Sequence, residues 1–369
     1  MPGKKYITAN EIFTGHDWLA DHAIIIENKL IADIVPLSEL PSDAAVENFK
    51  ENILAPAFID LQIYGAGGKL LAEFPNTDSL KVLVEYCAEG GAAWCLPTVA
   101  TNEYDVFYRC IDAIREYWKT GGEGVLGLHI EGPWINPKKR GAHIESLVHS
   151  PSLSQVTQLL EYGKGVIKMI TLAPEVCSND VIEMVRREGI IISAGHSDAT
   201  YEEAIRAFDK GINLATHLYN AMSPLGHRAP GLVGACFNDD RVNASIIPDG
   251  YHVDFSAISI AKKIMGERLF AITDAVTETN TGYYPHQFAG DKYESGGVLS
   301  GSALNMMKAF MNLVMKVGVE RGEAIRMCGL YPANVIGLQS ELGKLRKGFQ
   351  AAIVVINEKT GEATLLQHT

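Results

Sequence analysis

No stretch of this chain approaches the ~18 consecutive apolar residues that a membrane span needs. Its start, "MPGKKYITAN", has no apolar segment of the kind a secretory leader carries. None of its six cysteines (87, 95, 110, 177, 236, 328) form a CxxC pair, and most sit in apolar or helical surroundings, as buried free thiols do. These absences point to a reducing cytoplasm. Basic charge is also scarce: 32 Lys and Arg against 44 Asp and Glu leave a net charge of −12. That balance argues against a nucleic-acid partner, whose phosphate backbone is met by clustered cations. A small anionic ligand stays open, because a local pocket can oppose the global sign.

What is present is an ordinary globular composition, 47% hydrophobic and 21% charged. Two regions differ in style. Residues 1–55 carry short β-branched runs, "KYITANEIFTG", "DHAIIIENKLIADIV" and "NILAP", with a hairpin expected at "NKL". Residues 344–369 repeat that style, with two strands around "EKTG". The two ends are expected to meet as one small β-domain, a sandwich that leaves 56–343 as an insert.

The insert alternates. Strand candidates recur at 57–62, 92–98, 125–131, 166–174, 190–196, 212–217, 242–250 and 269–274. Amphipathic stretches such as "SLKVLVEYCAEG" and "ATYEEAIRAFDKG", closed by glycine, lie between most of them. Eight strands alternating with helices predict a (β/α)8 TIM barrel. The rival, an open doubly wound sheet, would carry a glycine-rich phosphate fingerprint after its first strand, and "YGAGGKL" is too short and irregular for one.

Barrel enzymes place their chemistry at the C-terminal ends of strands. Here those ends read Gln62, Thr98, Glu131, His196, His217, Asp249 with His252, and Asp274. A single histidine closing a strand is more often a hydrogen-bonded structural residue. Five ionisable residues ending five strands at one face are not explained that way, because each buried polar group costs a few kcal/mol unless paired or ligated. Glu131, His196 and His217 make a suitable ligand set for zinc or another divalent first-row metal, with water completing the shell. His129 shares the pleat face of Glu131, so it is either a further ligand or a hydrogen-bond donor to one. Asp274, across the barrel mouth, is positioned to take a proton from water and return it to a leaving amine.

The segments "ILAPAFIDLQIYG", "LHIEGPWINPKKRGAH", "SAGHSDATYEEAIRA", "THLYNAMSPLGHRAPG", "IPDGYHVD", "AITDA" and "LSGSAL" follow in order along nearly the whole chain. Together they resemble the N-acetylglucosamine-6-phosphate deacetylases of the amidohydrolase superfamily. The resemblance implies a metal-bearing barrel with a β-sandwich built from both termini. It implies Glu131, His196 and His217 as metal ligands, Asp274 as general acid and base, and His143 as the group that supports the oxyanion. It also implies that Asn220, the Ala221 backbone, Arg228 and His252 hold a sugar phosphate, with Ala142 and Leu299, Ser300 and Gly301 lining the same pocket. Arg228 would reach into a neighbouring subunit, in a homodimer. His227 is left without a role.

One departure bears on the metal. Where many amidohydrolases have an HxH pair on the first strand, this chain reads "FIDLQIY", with Gln62 and Tyr64 at those positions. No lysine ends the fourth strand at "TLAPE" to serve as a bridging ligand. The expectation is therefore one divalent metal per subunit, zinc before iron, cobalt or manganese, with Gln62 at most hydrogen-bonded to a metal-bound water. The expected reaction is removal of the acetyl group from N-acetylglucosamine 6-phosphate. The alternatives are the same reaction on an epimer such as N-acetylgalactosamine 6-phosphate, or a barrel that binds sugar phosphate without turning it over.

Overall fold

The computed structural model describes residues 4–366, so the outermost residues of the expected small domain, 1–3 and 367–369, lie outside the described residues. The chain divides into two compact units. One takes the described residues up to Asp60, Cys87–Ala93, and those from Asn305 onward. The other takes Leu61–Tyr86 and Trp94–Leu304.

In the first unit the two chain ends share a sheet. Ile353–Asn357 pairs antiparallel with Ile53–Pro56 and with Glu362–Leu366, and Ile53–Pro56 runs parallel to Glu11–Phe13. A second sheet joins Lys5–Thr8, His22–Glu27, Leu30–Pro36 and Val46–Asn48. Isoleucines from both sheets, among them Ile7, Ile12, Ile24, Ile31 and Ile353, fill the space between them. The hairpin at "NKL" forms because Asn28 and Lys29 both take positive φ, 53° and 62°, as a two-residue turn between right-twisted strands requires. By contact, the helical stretch 305–335 belongs with these terminal strands, whereas the sequence reading grouped everything to 343 with the barrel. Those helices pack on one another, and barrel topology alone does not decide where such a segment makes its contacts.

The eight strands of the barrel are Phe58–Ile63 (β1), Ala92–Ala100 (β2), Leu128–Glu131 (β3), Ile167–Leu172 (β4), Ile191–Ala194 (β5), Leu214–Ala215 (β6), Asn243–Ile246 (β7) and Leu269–Ala271 (β8). They neighbour one another in chain order, and the pairs from β2 to β8 are parallel. The ring closes where the Asp274 N–H donates to the Gln62 carbonyl and the Tyr64 N–H to that of Ala275, both at 2.9 Å. Several connecting helices start on side-chain caps. Thr200 and Glu203 form a reciprocal capping box at the head of Tyr201–Asp209, and Gly211 turns the chain back at φ 94°. No helix among the described residues is long and apolar enough to cross a membrane.

The strands are shorter than the apolar runs that announced them. His196, His217 and Asp274 lie two or three residues beyond the last residue of β5, β6 and β8, each at positive φ (47°, 36° and 54°). Left-handed backbone is uncommon for residues other than glycine and is held only where the surroundings over-determine it. Here it turns three polar side chains towards the mouth of the barrel.

Candidate active site

A cavity of about 220 Å³ opens at the C-terminal ends of the strands. Glu131, 2% exposed, lies at its base, and three imidazoles converge on its carboxylate. His217 Nε2 is 3.0 Å from Glu131 Oε1, His196 Nε2 is 3.3 Å from the same oxygen, and His143 Nε2 is 3.2 Å from Oε2. The two nitrogens of His196 and His217 are 3.1 Å apart. Donor atoms of this kind, gathered this closely, suit a single cation.

The tautomers can be read from the partners. His196 Nδ1 faces the Lys139 carbonyl at 2.9 Å, which only accepts, so Nδ1 carries the proton and Nε2 keeps a lone pair for a metal. His143 is the reverse. The Thr101 N–H donates to its Nδ1 at 3.3 Å, so that atom is an acceptor and Nε2 carries the hydrogen. By ligand-atom spacing Glu131, His143 and His196 form a metal-capable cluster. A protonated Nε2 cannot ligate, which favours His217 over His143 as the third ligand. His217 Nδ1 is buried without a hydrogen-bond partner. The residues present therefore fit a divalent metal.

Charge follows the same geometry. Burial works to raise the Glu131 carboxyl, but the three imidazoles around it, His196 foremost, outweigh it and hold it well below its ordinary value. Burial lowers His143 to about 4, with the His196 charge adding to it, so His143 stays neutral. Burial also raises the Asp274 carboxyl above its ordinary value; His217 opposes this and Glu131 reinforces it. A raised carboxyl is better matched to carrying a proton back and forth near neutral pH.

On β1, Gln62 Nε2 donates to Asp274 Oδ1 at 2.7 Å and to Glu131 Oε1 at 3.0 Å. The amide thus meets both carboxylates directly. With its N–H groups turned to them it offers no ligand atom there. Tyr64 donates its phenol proton to Glu131 Oε2, and burial together with the Glu131 and Asp274 charges keeps that phenol protonated. His129 sits below the site with both nitrogens in use, Nε2 at 2.8 Å from Thr171 Oγ1 and Nδ1 at 3.2 Å from the Leu61 carbonyl. Neither contact is to a proposed ligand. Its role is inside the barrel.

Away from Glu131, the loop after β6 brings Asn220 and Ala221 to the cavity wall, and His252 joins them from the loop after β7. Asp249 Oδ2 holds His252 Nδ1 at 2.6 Å. Burial would raise the Asp249 carboxyl, but the hydrogen bond and charge of His252 prevail and hold it below its ordinary value. Ala142, Leu299 and Ser300 line the cavity. Gly301 stands behind them at φ 152°, where a Cβ would come within 2.5 Å of Val276. Arg228 and His227 are both exposed and are not among the lining residues. No lysine or arginine among the described residues lines this cavity.

Two polar lining residues escaped the sequence reading. Tyr284 and His286 come from the excursion after β8, "TGYYPHQF", and are 6% and 4% exposed. A histidine in a long loop was the one signal there; nothing in the local pattern marks either residue as buried.

Comparison with known proteins agrees with this architecture. The Amidohydrolase family matches residues 53–366, and the NagA composite domain matches residues 6–54. The chain is 34% identical over 363 residues to the N-acetylglucosamine-6-phosphate deacetylase of Haemophilus influenzae, covering 95% of each chain. It is 31% identical over 363 residues to the N-acetylgalactosamine-6-phosphate deacetylase of Escherichia coli O157:H7, covering 95% of this chain and 94% of that one. The crystal structure of N-acetylglucosamine-6-phosphate deacetylase from Pasteurella multocida superposes with a TM-score of 0.92 at 32% identity, covering 98% of both chains.

Proposed function

The chain belongs to the amidohydrolase family, and on that premise we propose that it hydrolyses the acetamide of N-acetylglucosamine 6-phosphate, releasing acetate and glucosamine 6-phosphate. The observation that carries the reading is the convergence of Glu131, His196 and His217 at one point, with Asp274 and the N–H of His143 facing the same cavity.

Glu131, His196 and His217 hold one divalent metal, zinc before iron, cobalt or manganese, which when bound supplies Lewis acidity towards a carbonyl oxygen and lowers the pKa of water. Gln62 and a protonated Tyr64 support a single ion, since neither offers a good ligand. Asp274 accepts a proton from the attacking water as the C–O bond forms. His143 donates its Nε2–H to the developing oxyanion, the tautomer that Thr101 enforces. Asp274 then delivers its proton to the amine nitrogen as the C–N bond breaks.

The other end of the substrate is an anion, and the cavity wall offers it Asn220, the Ala221 backbone and His252 but no permanent cation. Arg228 is exposed on the loop after β6 and does not line its own chain's cavity, so in this proposal it meets the phosphate in the site of a second copy, within a homodimer. Its planar fork suits phosphate. A cytoplasmic setting agrees with six free thiols.

Acetate release from N-acetylglucosamine 6-phosphate, from its galacto epimer and from unphosphorylated N-acetylglucosamine tests the reading. The expected order of kcat/KM places the phosphorylated gluco sugar first and the unphosphorylated sugar far behind. Preference for the galacto epimer would move the assignment to the activity named for the Escherichia coli relative. Tight binding of sugar phosphate without acetate release would make the barrel a binding protein.

A further inference from the structure

We infer that Tyr284 is a positioning residue for His143, acting through Thr101; the inference rests on the deacetylase reading above for the role of His143. The excursion after β8, residues 279–302, includes a three-stranded antiparallel sheet, Gln287–Phe288, Lys292–Ser295 and Val298–Ser302. It supplies Tyr284, His286, Leu299 and Ser300 to the cavity wall. One of its buried contacts leads, through Thr101, to the group that faces the reacting amide. The Tyr284 hydroxyl donates to the Thr101 carbonyl at 2.6 Å.

Thr101 is the residue that sets the His143 ring. Its N–H donates to His143 Nδ1 at 3.3 Å, and its hydroxyl lies 2.7 Å from the same nitrogen. A shift of the Thr101 residue would move both contacts together, and with them the direction of Nε2–H. Thr101 has little room. Gly132, at φ 77°, passes so close that a Cβ there would lie 2.2 Å from the Thr101 hydroxyl oxygen. The Tyr284 ring also packs edge-on to the His143 ring, with centroids 6.5 Å apart, and stacks on His286, whose Nδ1 is held by Ser300 Oγ at 2.8 Å. A seated excursion therefore fixes Thr101, and Thr101 fixes the imidazole. Small misplacement of such a group is costly, since a 1 Å error can lower a rate by ~10²-fold.

A second tether provides the control. Tyr283 donates its hydroxyl to Glu103 Oε1 at 3.1 Å, joining the same two segments at the exposed surface without touching Thr101. If the excursion merely needed anchoring, the two tyrosines would matter alike.

The test replaces each hydroxyl alone in the full-length protein. Tyr284→Phe is expected to lower kcat about 10-fold with KM changed by less than about threefold, while Tyr283→Phe leaves both unchanged. Nitrogen-15 spectra of histidine-labelled protein, with the His143 signal assigned by its loss in His143→Gln, should show a single Nε2–H tautomer in the parent. A second tautomer should appear in Tyr284→Phe. Wild-type kcat with an unchanged His143 signal in Tyr284→Phe would overturn the inference, as would equal losses in the two tyrosine variants. The spectra need no turnover. A parent protein without deacetylase activity would sink the functional reading, and the tautomer comparison would still decide whether Tyr284 holds His143.

Discussion

The end of the cavity beneath Glu131 and the end beside the loop after β6 differ in how much of each a single chain supplies. Around Glu131 the reactive side chains are buried and bonded to one another: three imidazoles, an amide and a phenol surround one carboxylate within hydrogen-bond reach. At the other end Asn220, Ala221 and His252 are in place, but the one arginine of the loop lies exposed outside the cavity. The chemistry is assembled by backbone closure within one barrel. No lysine or arginine among the described residues lines that wall.

Four experiments break or sharpen that contrast. The largest effect should come from the metal. Chelation is expected to abolish turnover, and adding back about one equivalent of divalent ion per chain should restore it, read by elemental analysis beside acetate release. Two tightly held ions per chain, both needed, would show that the Glu131 end has ligands we have not counted.

Next in size, Asp274→Asn should lower kcat by at least ~10²-fold, the usual scale for a positioned base, with metal content and substrate affinity nearly intact. Near-normal turnover would reduce Asp274 to a turn residue tied to Gln62.

Arg228→Ala should raise KM for the phosphorylated sugar by roughly 30-fold or more, the lower end of the ~2–5 kcal/mol for a lost charge-assisted contact. Mixing Arg228→Ala and Asp274→Asn chains should recover part of the activity, because a hybrid dimer has one intact site. No recovery in demonstrated heterodimers would place Arg228 in its own chain's site and remove the contrast.

The smallest effect concerns stability. The Asp249 carboxyl is held below its ordinary value by His252, so the stability it contributes is complete above the unfolded carboxyl value of ~3.9 and is lost as pH falls through the lower folded value. Asp249→Asn should therefore flatten the acid side of the thermal-melt profile below about pH 4. An acid limb as steep as the parent's would mean that other carboxylates set it.

Much of this arrangement was legible in the chain. Runs such as "VLGLHIE" and "LFAITD" announce strands because apolar residues stop abruptly at a polar one. That abrupt stop marks Glu131, His196, His217 and Asp274 without any knowledge of neighbours. His129 shows the limit of the rule. It shares a strand and a pleat face with Glu131, yet it lies one layer deeper and bonds to Thr171 and Leu61. Periodicity gives the face and not the depth. Tyr284 and His286 were illegible for a different reason: their burial depends on how an irregular excursion folds back, and no local period records that.

By itself, the sequence determined the order of elements, the fold class and the residue types gathered at one end of the barrel, because those follow from local patterns of polarity and shape. The tertiary structure decided the rest. Positive φ at His196, His217 and Asp274 turns their side chains towards one centre, and ring closure between β1 and β8 sets Gln62 against Asp274. The Thr101 N–H selects the His143 tautomer. Each depends on atoms far apart in the chain meeting within about 3 Å, the range of a hydrogen bond, which no local pattern can specify.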